Sequence, residues 1–206
     1  MKNLYLTIFL SFFVIAFTSQ SNAALISGQD IIIAPEYAWD DAPGAENTHQ
    51  QAFNEAQNVI LTRDIEVDDG LLTAGTLVSS HMIFLNTPGS STTSDNNVDW
   101  VFDGVILGVM SDGYGTLEAA SNDILGASGT DYPASFNARG MESADSYIIS
   151  GNSIRVSMHV SEPGDWIRVV TAGTTNNVPE PSMIGLLLSG IISLLGFKSI
   201  RKKNVA

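Results

Sequence analysis

Three histidines, twenty-two carboxylates and no cysteine are what this 206-residue chain offers for chemistry. A hydrolytic site of the acyl-transfer kind needs a nucleophile, a base beside it and an acid to orient the base. Ser and Asp are plentiful, but the only bases are His49, His81 and His159. There is no Gly-x-Ser-x-Gly elbow, no His-Glu-x-x-His and no thiol. His159 falls on the polar face of an alternating run, so it is predicted to be exposed. His81 lies inside an apolar run after Ser79-Ser80 and is predicted to be a hydrogen-bonded packing residue. Two facing carboxylates would suffice for a glycosidase, but spacing along a chain does not show that any two face each other. The sequence is therefore read as no enzyme, with a carbohydrate-active hydrolase using paired carboxylates kept as an alternative.

Hard oxygen donors cluster twice, as Asp64, Glu66, Asp68 and Asp69 and as Asp95, Asn96, Asn97 and Asp99. Donors of this kind suit calcium, and the alternative is a solvated acidic turn. Neither cluster follows the EF-hand or the Gly-Gly-x-Gly-x-Asp pattern, so no cofactor is expected, with calcium the ion these groups would take. A sugar-binding face would use exposed aromatics, and Trp39, Trp100, Trp166, Tyr114 and Tyr132 are the candidates. Trp100 and Trp166 sit in strand-like runs and are predicted to fill the core. Trp39, beside Tyr37 in an irregular stretch, is predicted to be exposed.

Charge narrows the partners. All 22 acidic residues lie between Asp30 and Glu180, against only Arg63, Arg139, Arg155 and Arg168 in that span, a balance of −18. Such a domain repels polyanions, so nucleic acid is excluded as a partner. Cations, basic proteins and neutral polysaccharides remain open. Without cysteine, stability must come from packing or bound ions.

The elements that would position these residues are short and strand-like. Val59, Leu61, Ile65 and Val67 alternate with polar neighbours up to the turn Asp68-Asp69-Gly70. Leu77 to Leu85 is a second apolar run, Gly89 to Asn97 a polar loop, and Trp100 to Met110 a third run, apolar on both faces like a covered strand. Ile154, Val156, Met158 and Val160 alternate with polar residues, and Glu162-Pro163-Gly164-Asp165 with Trp166 to Thr171 reads as the rest of a hairpin. Leu117, Ala120, Ile124 and Leu125 recur at helical spacing with Gly126 at the C-terminal cap position, so a short helix is predicted over 116–125. Residues 24–57 read as an irregular lead-in with a helical turn near 50–56, 58–172 as the β domain and 173–177 as a spacer. The fold class is all-β, an antiparallel, jelly-roll-like β-sandwich with one short helix.

The two ends read differently. Lys2, the apolar run from Leu4 to Phe17 and the small residues up to Ala23 have the layout of a signal peptide over 1–23, with signal-peptidase cleavage between Ala23 and Ala24. At the other end, an apolar segment over 183–200 rises roughly 27 Å as a helix, close to a hydrocarbon core of about 30 Å. Lys198, Arg201, Lys202 and Lys203 form a basic cluster that stays cytoplasmic under the positive-inside rule. The expected location is a single-pass inner-membrane anchor with the β domain in the periplasm.

Just before that helix stands Val178-Pro179-Glu180-Pro181. Motif, spanning helix and basic tail, in order over 178–206, resemble the PEP-CTERM sorting domain of Gram-negative envelope proteins. The resemblance implies recognition by an exosortase, a membrane-embedded cysteine transpeptidase-like enzyme common where exopolysaccharide is made, with Val178, Pro179, Glu180 and Pro181 as substrate motif. It also implies later delivery to the cell surface or extracellular matrix. The prolines keep this segment extended, the form a processing enzyme can hold.

Phe53 to Thr171 also resembles a domain of exported bacterial proteins with assorted anchors. The resembling stretches are Phe53-Asn54-Glu55-Ala56-Gln57, Gly75 to His81, Phe102 to Val109, Leu125-Gly126 with Gly129-Thr130-Asp131-Tyr132, Arg139-Gly140-Met141-Glu142, and Pro163 to Val169. This resemblance implies an all-β envelope domain with no assigned reaction. The reading is thus an exosortase substrate of structural or binding role in the envelope or matrix, exopolysaccharide being a candidate partner. A calcium- or sugar-binding adhesion module is the further alternative.

Overall fold

The computed structural model describes residues 24–39 and 44–174. Within them the chain is mostly strand, arranged as antiparallel sheets with one short helix, in a sandwich-like layering. The strands in chain order are β1 (Leu25–Ser27), β2 (Gln51–Asn54), β3 (Val59–Ile60), β4 (Ile65–Val67), β5 (Gly70–Leu72), β6 (Leu77–Leu85), β7 (Thr93–Phe102), β8 (Ile106–Met110), β9 (Ser146–Ser150), β10 (Ser153–Val160) and β11 (Asp165–Ala172), and helix α1 spans Thr116–Leu125. Sheet A has the order β1-β7-β10-β9. Sheet B has the order β2-β6-β11-β8, with β3 also on β6, and β4-β5 form a separate hairpin.

Burial follows from which faces are covered. β10 is buried at Ile154, Val156, Met158 and Val160 and open between them, as a strand with one solvated face must be. β6 and β11 are buried almost throughout, because sheet B is covered twice. Its inner face joins Ile83, Leu85, Ile167 and Val169 to Trp100, Phe102, Ile154 and Met158 of sheet A. Its outer face puts Phe53, Met82, Phe84 and Trp166 under Ala38 and Ala45 of the lead-in, and Val78, Met110 and Val170 under Ile65, Val67 and Leu125. Both strand tryptophans are core, as predicted, with Trp100 0% and Trp166 1% exposed. Trp166 stacks on Phe84 at 4.2 Å between ring centroids. Burying a large apolar side chain contributes about 1.5–3 kcal/mol, so these strands hold the fold through both faces.

Several expectations change. Residues 24–57 are not merely an irregular lead-in. They supply β1 to sheet A and β2 to sheet B, and the expected helical turn near 50–56 is replaced by β2. The turn after β10 does not close a hairpin. β10 pairs with β7 and β9, whereas β11 pairs with β6 and β8, so residues 161–164 carry the chain from one sheet to the other. The contrast between alternating β10 and fully buried β11 is the physical sign of that switch. Trp100 to Met110 divides at Asp103-Gly104 into the end of β7 and all of β8, and Gly104 is needed there because a Cβ would lie 2.2 Å from the Ala172 carbonyl oxygen. The polar loop after Gly89 is shorter than expected, since β7 begins at Thr93. The run from Val59 to Val67 is two short strands.

Helix α1 spans the predicted residues. Asp112 caps its N-terminus, Oδ2 accepting from Thr116 N at 2.7 Å and Oδ1 from Leu117 N at 3.0 Å, so free amide groups of the first turn are satisfied. Gly126 does end the helix, but in an extended rather than left-handed conformation. A Cβ there would meet the Asn122 carbonyl oxygen at 2.6 Å.

Candidate functional site

Helix α1 and the 127–141 segment lie over the outer face of sheet B, and the charges of the domain converge beneath them. Arg168 is in the middle of β11, on the same side as Trp166 and Val170. Glu55 follows β2, held by a bond from its own N–H to the Ser80 carbonyl. The two side chains form a bidentate pair with no exposed surface, Arg168 Nε to Glu55 Oε2 and Nη2 to Oε1, both 2.7 Å.

The pairing is complete. Arg168 Nη1 donates to the Glu118 carbonyl at 2.9 Å and Ser121 Oγ at 2.7 Å, and Nη2 also donates to Asn122 Oδ1 at 2.8 Å. A guanidinium has five N–H donors, and each has an acceptor. Glu55 accepts further from Ser80 Oγ at 2.6 Å and Tyr132 OH at 2.7 Å. Burial opposes the charge of Arg168, but Glu55 and then Glu118 outweigh it and hold the guanidinium more firmly protonated than usual. Burial, and then the Glu55 carboxylate, raise the Tyr132 phenol above its ordinary range.

A second buried pair adjoins the first. Arg139 donates from Nε and Nη2 to the Glu118 carboxylate at 2.9 and 2.8 Å, and its guanidinium lies 4.3 Å over the Trp166 ring. Arg139 Nη1 has no protein acceptor, so this pair is less fully satisfied than the first. Gly115, at φ +62°, lets the helix start against this arginine, since a Cβ there would lie 2.4 Å from Arg139 Cγ. The cluster clasps β2, β11, α1 and the 127–141 segment together. With every donor of Arg168 used and solvent excluded, it has no group placed to exchange a proton with a dissolved substrate.

The histidines take separate roles. His81 is buried, with Nδ1 2.8 Å from Asn54 Oδ1 and Nε2 3.1 Å from Thr171 Oγ1. Leu25 N also donates to Asn54 Oδ1, so that atom is the amide oxygen and His81 donates to it from Nδ1. Burial pushes its pKa down to about 3, which keeps the ring neutral. His159 is exposed, its Nδ1 against Ser94 Oγ. His49 lies 3.4 Å from Asp30.

A further buried titratable group is Asp165, 2% exposed at the start of β11. Burial, then Asp145 and Glu142, push its pKa up to about 9. Asp145 itself accepts from the backbone N–H groups of His159 and Glu142, each at 2.7 Å.

The predicted calcium donors are not gathered. Asp64 accepts from Ala74 N, Asp68 from Ser111 N and Oγ and from Tyr147 OH, and Asp95 from Gln50 N. Asp99 pairs with Arg155, while Glu66 and Asp69 point to solvent. Among the described residues no group of three or more His, Asp or Glu could hold a metal ion. Asp64 and Glu66 do border one shallow depression of about 370 Å³ with Arg63 and Thr116. A second depression, of about 450 Å³, lies over Asp99, Val101, Ile148 and Arg155. Trp39 is 41% exposed, as predicted, and it packs edge-on against Tyr37 at 5.1 Å.

Sequence reasoning passed over Glu55, Glu118, Arg139 and Arg168. A signal existed for the last. A charge inside the run Trp166-Ile167-Arg168-Val169-Val170 must be paired if the strand is covered on both faces. Gln50 was also missed. It is fully buried and bridges Trp100 Nε1 at 3.1 Å to the backbone oxygens of Asp95 and Val156.

The sites expected in the two ends, namely cleavage after Ala23, the motif Val178, Pro179, Glu180 and Pro181, the 183–200 span and the basic cluster Lys198, Arg201, Lys202 and Lys203, lie outside the described residues. Among the described residues no helix is long and apolar enough to cross a membrane. Comparison with known proteins finds no matching family model, no matching curated protein and no matching solved structure.

Proposed function

We propose that this chain is an exported envelope or matrix protein, sorted by an exosortase-type system, whose β domain serves a structural or binding role rather than a catalytic one. The observation that carries the domain's part is the use of its arginines. Arg63, Arg139, Arg155 and Arg168 are the only basic Lys or Arg side chains between Asp30 and Glu180, and each is paired with a carboxylate: Asp123, Glu118, Asp99 and Glu55. Among the described residues no arginine lacks a carboxylate partner, so none stands as a free cation for an anionic ligand or a developing negative charge. The balance of −18 between Asp30 and Glu180 suits a neutral or cationic matrix. With no cysteine for disulfides, apolar packing on both faces of sheet B supplies the stability.

The export half rests on sequence: signal peptide, Val178-Pro179-Glu180-Pro181, apolar helix and basic tail. The connections β6 to β7, β7 to β8, β8 to β9 and β10 to β11 all switch sheets, which supports a jelly-roll-like description of the sandwich. Exopolysaccharide is the proposed partner, and the exposed Trp39, edge-on to half-buried Tyr37, favours a sugar-binding variant of this reading.

Incubation of the purified protein with exopolysaccharide tests the domain. Co-sedimentation without new reducing ends is expected, whereas release of reducing ends would replace this reading with the hydrolase. Mass spectrometry of the mature C-terminus tests sorting. Loss of the Lys202-Lys203 tail in a host with a working exosortase is expected, and a fully intact tail would refute it.

A further inference from the structure

β1 is the shortest strand of sheet A, yet its first residue reaches both sheets. Leu25 is 6% exposed in the inner core with Phe102, and its N–H donates at 2.9 Å to Asn54 Oδ1, the atom that also accepts from His81. The cleavage expected between Ala23 and Ala24 therefore falls one residue ahead of a strand that belongs to the core.

Ala24 extends the ladder by one bond. Leu25 stands opposite Phe102, and the Ala24 carbonyl accepts from Asp103 N at 3.1 Å, so Ala24 lies opposite Asp103. Two such residues of an antiparallel ladder turn both N–H and C=O towards each other, which aims the Ala24 nitrogen at Asp103 as well. Directly opposite residues also share a face of the sheet.

Asp103 is short of a partner. Its Oδ1 is buried and accepts no hydrogen bond among the described residues, a costly state for a carboxylate. The four arginines of the domain are paired with Asp123, Glu118, Asp99 and Glu55, and the histidines have contacts elsewhere. No lysine stands between Ala24 and Lys198. Hydrolysis of the Ala23–Ala24 amide puts the water oxygen on Ala23 as a carboxylate and leaves the nitrogen, with both water protons, as an ammonium on Ala24.

We propose that cleavage after Ala23 frees an α-ammonium at Ala24 that pairs with the Asp103 carboxylate, so that processing itself locks β1 into sheet A. In the uncleaved chain the same nitrogen is a neutral amide. The inference rests on the signal-peptide part of the export reading and is independent of exosortase sorting and of any polysaccharide.

The test uses mature protein from an exporting host. Terminal sequencing is expected to give Ala24, and a terminus elsewhere overturns the cleavage reading together with the proposal. An amine-acylating reagent then reports the α-amino group alone in the peptide 24–63, which contains no lysine. Only the neutral amine reacts, so the dependence of rate on pH gives its midpoint of titration. In the folded parent this midpoint is expected above that of the same chain in urea, and a midpoint at or below it overturns the proposal without any variant. Asp103→Asn should lower the midpoint by about one pH unit and speed acylation about tenfold at neutral pH. Simple loss of burial would raise it instead, because water favours the charged form. Glu66→Gln, an equal change of charge at a solvent-facing residue, should leave the midpoint in place. A midpoint that Asp103→Asn does not lower, or that Glu66→Gln lowers equally, overturns the ion pair while the cleavage reading stands.

Discussion

The outer faces of the two sheets treat the same kind of interaction in opposite ways. On sheet B, under α1, Arg168 and Glu55 are fully buried and every donor of the guanidinium is satisfied. On sheet A, Arg155 and Asp99 make an equally well-formed bidentate pair at 2.8 Å, with both side chains more than half exposed. Geometry is alike and environment differs. Water already solvates the exposed pair, so its formation gains little. For the buried pair the comparison is with a stranded charge in a dry interior, so removing one partner is costly even where the intact pair adds little net stability.

The largest effect is expected where burial and pairing coincide. Arg168→Met strands the Glu55 carboxylate and should cost about 3–5 kcal/mol, which for a domain of this size lowers the melting temperature by on the order of 10 °C. Glu55→Leu together with Arg168→Met should recover part of that loss, because no charge is left buried. A double variant as unstable as the single one would show that packing, not charge, sets the cost.

Glu118→Gln probes the less complete neighbour. It removes the charge opposite Arg139 while keeping an acceptor, and since Arg139 Nη1 already lacks a protein partner, thermal melts should show a smaller loss than for Arg168→Met. An equal loss would mean that the two pairs act as one unit.

Asp165 sharpens the comparison as a buried carboxyl facing other carboxylates. Its folded pKa of about 9 exceeds the unfolded 3.8, so the folded state holds the extra proton between those values. Its contribution is fully present below the unfolded pKa and is lost as pH rises, with a slope of up to about 1.4 kcal/mol per pH unit. His81 acts oppositely: its folded pKa of about 3 lies below 6.5, so stability falls as pH drops through that window. Above pH 6.5 only the Asp165 effect operates of the two. Asp165→Asn should therefore raise the melting temperature most near pH 8 and least near pH 4. A gain independent of pH would refute the assignment.

The smallest effect is expected at the exposed pair. Arg155→Ala should leave the melting curve superimposable on that of the parent protein, and a clear loss would show that the sheet A face is covered in solution.

How much of this was legible varies by element. Helix α1, its limits and the burial of Trp100 and Trp166 followed from local pattern, because amphipathic spacing and strand-like apolar context are read within a few residues. The hydrogen-bonded packing role of His81 followed from its apolar neighbours. The supposed hairpin after Val160 did not hold, since a turn signal tells where a strand ends and not which sheet the next one joins. The acidic runs suggested calcium by abundance; in the structure Asp68, Asp95 and Asp99 have protein partners 43 to 56 residues away and Asp64 accepts from nearby Ala74 N.

By itself, then, the sequence determined what depends on neighbours along the chain: an all-β character, the helix over 116–125, the core tryptophans, an acidic balance and an apolar, basic-ended tail after Val178-Pro179-Glu180-Pro181. Only the tertiary structure decided which charges meet. Glu55 and Arg168 are 113 residues apart and Glu118 and Arg139 are 21 apart. Their pairing depends on a second cover over sheet B, and no local pattern encodes the distance between side chains brought together by folding.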